Sequence, residues 1–341
     1  MGFVVAVVGA TGAVGRAMLA TLERRAFPID ELRCLASQRT AGSKLRFRGK
    51  ELVVEATTPQ SFAGVHLALF SAGATTAREL GPVAAAAGAV VIDNSSAWRT
   101  DPDCPLVVPE VNPHQIAVRP KGIIANPNCS TIQLLVALQP LHAAARLRHV
   151  VVSTYQATSG KGHAAVEDLR AQTRAWAAGK PIEPTVFPGQ IAMNLLCDWK
   201  AASGDDDGWS EEEMKMIFET RKILGDESIA VSPTCVRVPV ENAHSESVHA
   251  KFSRPMSVQE AKSLLRGAPG VSLDERPYAP GVHPQPIAAS GRDEVLVGRL
   301  RKDPGDPNAL NLWVVGDNLL KGAALNAVQI AEHVARERSG G

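Results

Sequence analysis

The sequence predicts a two-domain α/β protein, with a domain built on a parallel β-sheet first and an α+β domain second. The chain has 341 residues, which exceeds the length of one typical domain. Its first 130 or so residues alternate strand-like and helix-like segments, the pattern of βαβ units. Beyond that point the strand-like segments are more widely spaced and mixed with helices, which indicates an α+β domain.

The first domain begins with a predicted strand over 3–8, followed by a glycine turn and a helix over 13–26 with helical apolar spacing. Short apolar runs rich in β-branched residues predict its remaining strands. These strands are expected at 32–36, 52–55, 67–71 and 89–93, with an alanine-rich helix at 79–87.

The second domain opens with a long predicted helix over 131–145, which leads into a β-rich run at 149–157. Two loops are predicted, an acidic surface turn at 203–208 and a proline-rich segment at 277–286. Further strands are expected at 235–240, 247–252, 295–300 and 312–315, and a last amphipathic helix at 318–338.

Composition and charge exclude several classes of function. The formal net charge is +1, so no bulk attraction for nucleic acid or acidic membranes is expected. No uncharged apolar run reaches about 18 residues, and the N-terminus lacks the basic flank of a signal peptide. The five cysteines form no Cys-x-x-Cys pair, which argues against a zinc ribbon or a disulfide scaffold. We therefore expect a cytoplasmic protein without a metal site.

The glycine turn after the first strand has the context of a dinucleotide-binding site. Gly9, Gly12 and Gly15 are spaced Gly-x-x-Gly-x-x-Gly, a variant of the usual fingerprint, between a strand and a helix. Glycines let the backbone approach a pyrophosphate, and the helix N-terminus offers free N–H groups. The turn therefore favours a Rossmann-type nucleotide domain, although a glycine turn can also serve packing alone.

The end of the second strand favours NADP over NAD. NAD sites usually carry an acidic residue there to hold the ribose 2′-hydroxyl. Here the strand is followed by Ser37, Arg39 and Thr40, a cation and two hydroxyl groups that suit a 2′-phosphate. A basic surface loop is the alternative interpretation.

Cys129 is the predicted nucleophile. It lies in the string Asn-Pro-Asn-Cys-Ser-Thr at the start of the helix predicted at 131–145, where Asn128 or Ser130 can cap the helix. Free N–H groups and the helix dipole favour a thiolate there and can stabilise an oxyanion. The other four cysteines lack this setting and are interpreted as packing residues, with Cys197 in a helix-like run.

The base that would assist a cysteine nucleophile is less evident from the sequence. His244 is the best candidate, because it follows a strand and stands beside polar residues where an imidazole can titrate near neutral pH. Spacing alone leaves a surface histidine equally possible.

Several strings are specific to one enzyme family. The chain contains VAVVGATGAVG, ASQRTAG, DNSSAWR, NPNCSTIQ, STYQATSG, FETRKILG, VGRLRKD and DNLLKGAALNAVQIAE. It resembles the bacterial aspartate-semialdehyde dehydrogenases nearly from end to end. The resemblance implies reduction of L-aspartyl 4-phosphate by NADPH through a cysteine thioacyl intermediate, within lysine, threonine, methionine and diaminopimelate biosynthesis.

The resemblance also assigns roles to residues at matching positions. Cys129 would form the thioacyl enzyme, His244 would act as acid and base, and Gln156 would orient the intermediate. The substrate would be bound by Arg237 at its α-carboxylate, Glu219 at its amino group, and Arg99, Lys222 and Asn128 at its phosphate. The cofactor would be held by Gly9, Thr11, Gly12, Ala13, Val14, Arg39, Thr40, Ser159, Gly160 and Asn318.

By the same resemblance, residues 1–128 and 318–341 form the NADP-binding domain, and residues 129–317 form a catalytic and dimerisation domain. A homodimer acting on a small molecule is the implied assembly, with a higher oligomer left open. Three positions depart from the family pattern: Lys161 replaces a small residue, Ala243 replaces a common glycine, and Leu320 replaces a basic residue.

Two alternatives remain open at this point. One is a related reductase of N-acetyl-glutamyl phosphate, or a glyceraldehyde-3-phosphate dehydrogenase-like protein, both of which use cysteine acyl chemistry. The other is a catalytically silent paralogue that binds or scaffolds. The predicted pair of Glu219 and Arg237 favours an aspartyl substrate, and the retained Cys129, Gln156 and His244 argue against a silent protein.

Overall fold

The computed structural model describes residues 2–202 and 208–339, so the predicted acidic loop lies outside the described residues except for Gly208. The chain divides into two compact units. The first comprises Met1–Pro127 and Ala323–Gly341, and the second comprises Asn128–Gly322. The boundaries fall one residue before and five residues after those expected from the sequence.

The secondary structure up to residue 127 contains eight strands and two α-helices among the described residues. In chain order they are β1 (Phe3–Val8), α1 (Ala13–Arg24), β2 (Ile29–Ala36), β3 (Lys44–Phe47), β4 (Lys50–Val53), β5 (Glu55–Ala56), β6 (Leu67–Phe70), α2 (Ala74–Ala86), β7 (Val90–Asp93) and β8 (Ile123–Ala125).

The described residues beyond position 127 add six strands and six α-helices. They are α3 (Cys129–Ala145), β9 (Leu147–Gln156), α4 (His163–Ala177), α5 (Glu211–Leu224), β10 (Ala230–Arg237), β11 (His244–Phe252), α6 (Val258–Leu265), β12 (Val271–Leu273), α7 (Pro286–Ala289), β13 (Val295–Lys302), β14 (Ala309–Gly316) and α8 (Leu325–Ser339).

The first unit is built on a parallel sheet of six strands in the order β5-β2-β1-β6-β7-β8. Alternate residues of the strands other than β5 enter separate apolar clusters on the two faces, as Val5 and Val7 do on one face and Ala6 and Val8 on the other. A sheet buried on both faces explains why these strands read as continuous apolar runs. The predicted parallel-sheet domain is confirmed.

The chain returns to the first unit at its C-terminal end. Ile330 and Val334 of α8 are fully buried in the same apolar cluster as α1 and β1. The predicted helix at 318–338 is interrupted, because a π-helical turn over Leu320–Ala324 precedes α8. A π-helical turn is frequently found at a functional site.

The second unit is built on a mixed sheet in the order β10-β9-β11-β14-β13-β12. Strand β9 is parallel to β10 and antiparallel to β11, and β11 is antiparallel to β14. This mixed sheet confirms the predicted α+β architecture. Its strands end or begin at predicted site residues: β9 ends at Gln156, β10 ends at Arg237 and β11 begins at His244.

Several predicted segments differ from the structure. The run at 52–55 is two separate strands, β4 and β5, of which β4 forms a hairpin with β3. Helix α5 carries a capping box, Ser210 with Glu213, and ends at Gly225 with φ of 64°. Those are recognisable sequence signals for a helix, yet α5 was not predicted from them. Within the described residues, no helix is both long enough and apolar enough to cross a membrane.

Candidate active site

Cys129 is the first residue of α3, two residues earlier than the predicted helix start. Asn128 is the N-cap, and its Oδ1 accepts hydrogen bonds from the backbone N–H groups of Ser130 at 2.9 Å and Thr131 at 3.4 Å. The thiol is therefore carried on the first turn of a 17-residue helix, where the dipole favours negative charge. Its side chain is partly accessible.

The remaining cysteines have different surroundings. Cys34, Cys104 and Cys235 are buried, and burial raises the pKa of Cys34 to about 11. Such thiols are poor nucleophiles at neutral pH, in agreement with a packing role. The interpretation of Cys197 was wrong, because this residue lies outside any helix and is exposed.

His244 is fully buried at the start of β11. Its Nδ1 accepts a hydrogen bond from the backbone N–H of Ala157 at 2.9 Å, so in the neutral imidazole Nε2 carries the proton. Nε2 makes no hydrogen bond to any residue that the structure describes. Burial, and to a smaller extent the charge of Arg237, lowers the pKa of His244 well below 6.5. The geometry offers a neutral imidazole with a free Nε2–H donor.

Gln156 and Asn128 are joined by a carboxylate that was not singled out in the sequence. Oε1 of Glu212 accepts from Asn128 Nδ2 at 2.8 Å and from Gln156 Nε2 at 3.2 Å. Glu212 is only 4% exposed, and its Oε2 lies 3.2 Å from Lys215 Nζ. One buried carboxylate thus positions both the cap of the nucleophile helix and the predicted thioacyl ligand.

Glu219 lies on the same face of α5 as Glu212, two turns further along. Its Oε2 accepts a hydrogen bond from the backbone N–H of Asn128 at 2.6 Å, and the residue is 1% exposed. Lys222, one turn beyond, packs with its Nζ 5.8 Å from the ring of Phe218. The structure therefore brings Glu219 to the backbone that precedes Cys129, and Glu212 to Gln156.

Arg237 is 3% exposed at the end of β10. Its Nη1 donates to the carbonyl oxygen of Ala157 at 2.9 Å, and its guanidinium lies 4.5 Å from the ring centre of Trp199. Nε is 3.4 Å from Asp198 Oδ1. The guanidinium is therefore held on three sides, which is the preorganisation needed to bind a carboxylate.

Ser159 and Asn318 are joined by hydrogen bonds, and Gly160, the next residue in the chain after Ser159, lies beside His244. Ser159 Oγ accepts from Asn318 Nδ2 at 2.9 Å, and Asn318 Oδ1 accepts from the backbone N–H of Ala243 at 2.9 Å. A side chain at Gly160 would meet Arg237 Nη1 at 3.1 Å and His244 Cε1 at 3.3 Å. Close approach of this backbone to both groups therefore favours glycine, since a larger residue would make Arg237 or His244 shift by a few tenths of an ångström.

Two departures from the family pattern have structural consequences here. Ala243 has φ of 70°, a left-handed conformation that glycine adopts more readily than alanine. Lys161 forms an ion pair with Asp198. Leu320, the third departure, starts the π-helical turn and is half-buried, and nothing else in the structure explains it.

The glycine turn of the first unit has the geometry that a dinucleotide requires. Gly9 has φ of 86°, and Gly12 is the N-cap of α1 without a side-chain hydrogen bond, so the first-turn N–H groups of Ala13 and Val14 can donate hydrogen bonds to an anion. Thr11 Oγ1 lies 3.4 Å from Thr40 Oγ1, which joins the turn to the segment after β2. These donors fit a pyrophosphate.

The segment after β2 carries no carboxylate from Ser37 to Ser43, and Arg39 on it is exposed. Arg99, also in the first unit, is 9% exposed and its Nη2 donates to the carbonyl oxygen of Asn94 at 3.1 Å. Among the described residues, no cluster of three or more histidine, cysteine or acidic side chains could hold a metal ion.

Comparison with family models and curated relatives shows which proteins this chain is similar to. Residues 4–119 match the family described as semialdehyde dehydrogenase, NAD binding domain, and residues 138–321 match semialdehyde dehydrogenase, dimerisation domain. The chain is 54% identical to aspartate-semialdehyde dehydrogenase of Aquifex aeolicus, with 99% of both chains covered. It is 49% identical to that of Bacillus subtilis, with 98% of both covered.

Solved structures give the same result. Aspartate semialdehyde dehydrogenase II from Vibrio cholerae is 47% identical with a TM-score of 0.94, covering 98% of this chain and 99% of that one. A second structure of that protein, complexed with ASA, has the same identity and coverage and a TM-score of 0.92. The Candida albicans enzyme with NADP is 26% identical with a TM-score of 0.75, covering 98% and 99%.

Proposed function

The chain belongs to the aspartate-semialdehyde dehydrogenase family, and from this we propose that it converts L-aspartyl 4-phosphate to L-aspartate 4-semialdehyde with NADPH, releasing phosphate. The product would supply lysine, threonine, methionine and diaminopimelate biosynthesis. The observation that carries the proposal is the setting of Cys129. It is the only cysteine that starts a helix in the part of the chain that the structure describes, and its cap is tied through Glu212 to Gln156.

The acylation step uses the start of α3. The Cys129 thiolate attacks the acyl carbon, the carbon–sulfur bond forms, and the carbon–oxygen bond to phosphate breaks. The Nε2–H of neutral His244 can stabilise the oxyanion, whereas the N–H groups of Ser130 and Thr131 already donate to Asn128 Oδ1. Because Gln156 is fixed by Glu212, its amide is prepared to hold the resulting thioester in one orientation.

A nicotinamide cofactor, when bound, would supply the hydride for reduction of the thioester. His244 then has the geometry to donate a hydrogen bond from Nε2 to the oxygen on which negative charge develops. Breaking the carbon–sulfur bond releases the aldehyde and restores the thiolate at the helix N-terminus, where the dipole again favours it. Burial of His244 excludes water from this donor.

The substrate requires a cation for its α-carboxylate, an anion for its ammonium group and cations for its phosphate. We assign binding of the substrate α-carboxylate to Arg237, whose planar guanidinium is held by Ala157 and Trp199. Glu219 and Lys222, together with Arg99 and Asn128, remain the predicted ligands for the other groups. Glu212 and Lys215 are second candidates for the ammonium and phosphate, because Glu212 already contacts Gln156.

We propose NADP as the cofactor, with Arg39 and Thr40 on the 2′-phosphate. The proposal is supported by the absence of a carboxylate after β2 and by the NADP-bound relative from Candida albicans. Parallel assays of semialdehyde oxidation with NADP and with NAD test it. Equal kcat/KM for the two cofactors would refute the assignment of Arg39 and Thr40.

Cys129→Ala tests the mechanism. We expect this variant to lose phosphate-dependent oxidation of the semialdehyde by at least about 10³-fold, because no thioacyl enzyme can form. NADP binding, measured by fluorescence titration, should remain close to that of the parent protein. Retained turnover in the variant would refute the covalent mechanism, and better turnover of N-acetyl-glutamyl phosphate by the parent protein would refute the substrate.

We also propose a cytoplasmic homodimer. The match of the second unit to a dimerisation domain supports self-association, and five cysteines that are all outside disulfides suit a reducing compartment. Light scattering coupled to size-exclusion chromatography measures the assembly directly. A monomer at micromolar concentration would exclude the proposed dimer.

A further inference from the structure

Lys161 forms an ion pair within the second unit, at a position where the family pattern predicts a small residue. It ends a short 3₁₀ turn, Thr158–Lys161, directly after Gly160. Its Nζ lies 2.7 Å from Asp198 Oδ2 and 5.2 Å from the ring centre of Phe187. The side chain is one third exposed, so the ammonium group reaches inward from the surface.

Asp198 is the centre of this arrangement. Its side chain is completely buried, and it stands between two cations, with Oδ2 on Lys161 and Oδ1 at 3.4 Å from Arg237 Nε. Neither Asp198 Oδ1 nor Arg237 Nε makes a well-aligned hydrogen bond with any described residue, so the contact between them is an ion pair without hydrogen-bond geometry. The same guanidinium is the one assigned to the substrate carboxylate.

A buried carboxylate beside that guanidinium would by itself oppose substrate binding. At a separation of several ångströms, two carboxylates repel strongly in a site from which water is excluded. Asp198 would also neutralise the positive charge of Arg237. With Lys161 present, the three side chains sum to one positive charge, which again favours an anionic ligand.

Resting on the proposed function, we propose that Lys161, Asp198 and Arg237 form a charge-balanced triad that sets selectivity for the α-carboxylate of the substrate. Asp198 restrains the position of the Arg237 guanidinium. Lys161 neutralises Asp198, so that Arg237 keeps its charge available for the ligand. Lys161 and Asp198 are thus positioning residues that act through Arg237.

Lys161→Ala tests the first half of the proposal. In the oxidative direction, we expect the KM for L-aspartate 4-semialdehyde to rise roughly tenfold, because Asp198 is left facing Arg237 and the ligand uncompensated. The KM values for NADP and phosphate and the kcat should change by less than about twofold. Lys161→Arg, which keeps the charge, should retain the parent KM.

A second substitution separates charge balance from simple structural support. In the double variant Lys161→Ala with Asp198→Asn, no uncompensated carboxylate remains, and the KM should return to within about twofold of the parent value. A structural role would make the two changes additive. Lys180→Ala, which removes an exposed lysine near the end of α4, is the control and should leave all parameters unchanged.

A substrate without the α-carboxylate completes the test. The KM for 3-aminopropanal, which keeps the amine and the aldehyde, should be the same in the parent and in Lys161→Ala. The proposal is overturned if Lys161→Ala leaves the semialdehyde KM unchanged, if Asp198→Asn fails to restore it, or if both aldehydes lose affinity equally. Failure of the proposed function itself is distinguished beforehand, because the parent protein would then not oxidise the semialdehyde.

Discussion

Cys129 differs from the other cysteines by its place in the chain. Asn128 caps the helix that Cys129 begins, and both of those facts follow from the string Asn-Pro-Asn-Cys-Ser-Thr. The local sequence was therefore sufficient to predict the capped helix start on which the assignment of Cys129 as the nucleophile rests. His244 could not be chosen in that way, because its burial and its hydrogen bond from Ala157 depend on strands distant in the chain.

The pKa of Glu246 is governed mainly by burial, which outweighs the opposing effect of Gln133. It lies on β11 two residues from His244 and is fully buried, which raises its pKa well above 4.5. Between the unfolded pKa and this higher folded pKa, the folded protein binds more protons than the unfolded chain. The free energy of unfolding therefore falls as the pH rises through that window, by up to about 1.4 kcal/mol per pH unit.

Glu246→Gln should remove that pH dependence, because the amide cannot ionise. We expect the variant to gain stability relative to the parent as the pH is raised above 4.5, in urea unfolding at a series of pH values. Glu227→Gln, at an exposed position, is the matched control. If the free energy of unfolding depended on pH in the same way for Glu246→Gln and the parent, burial would not raise the pKa of Glu246 in the folded protein.

Helix α5 shows why Glu212, which contacts Asn128 and Gln156, was not singled out in the sequence. Glu212, Lys215, Glu219 and Lys222 follow a spacing of three and four, so all four lie on one face of the helix. The pattern Glu-x-x-Lys occurs twice on this face, so helical periodicity alone does not show which copy contacts which part of the site. Only the packing of α5 against Asn128 and Gln156 distinguishes them.

The π-helical turn before α8 supports the nucleophile from a distant part of the sequence. A side chain at Gly322 would place its Cβ 2.8 Å from Cys129 Cβ, closer than non-bonded carbon atoms approach. We expect Gly322→Ala to displace Cys129 and to lower kcat roughly 100-fold, since displacements near 1 Å are costly at a reacting centre. The measurement is steady-state oxidation of the semialdehyde.

Gly305→Ala provides the control for this substitution. Gly305 is exposed, and a Cβ there would meet only Asp303 Oδ1, at 3.5 Å. Its kcat should match that of the parent protein. A normal kcat in Gly322→Ala, with the variant folded by circular dichroism, would show that the π-helical turn does not fix the position of Cys129.

At the scale of the whole molecule, the first unit is assembled from both ends of the chain. Ile330 of α8 is fully buried in a cluster with β1 and α1. Ile330→Ala should therefore lower the stability of this unit by about 2–5 kcal/mol through lost burial and a residual cavity. Faster hydrogen exchange of β1 amides, measured by mass spectrometry, would report the loss locally.

Arg336→Ala is the matched control on the same helix, because Arg336 is exposed. Its effect on stability should stay within about 0.5 kcal/mol. Unchanged exchange of the β1 amides in Ile330→Ala would contradict a shared core between the two ends of the chain.

The sequence by itself determined the features that depend on neighbouring residues: the alternation of strands and helices, the glycine turn at Gly9, and the capped cysteine at Cys129. Hydrophobic period, turn chemistry and capping act over a few residues, so they can be read from the chain. Tertiary structure alone decided that Glu212 joins Asn128 to Gln156 and that Asp198 stands between Lys161 and Arg237. These contacts join segments that are tens of residues apart in the chain. Because the carboxylates of Glu212 and Asp198 are buried, their electrostatic interactions are stronger than they would be in water.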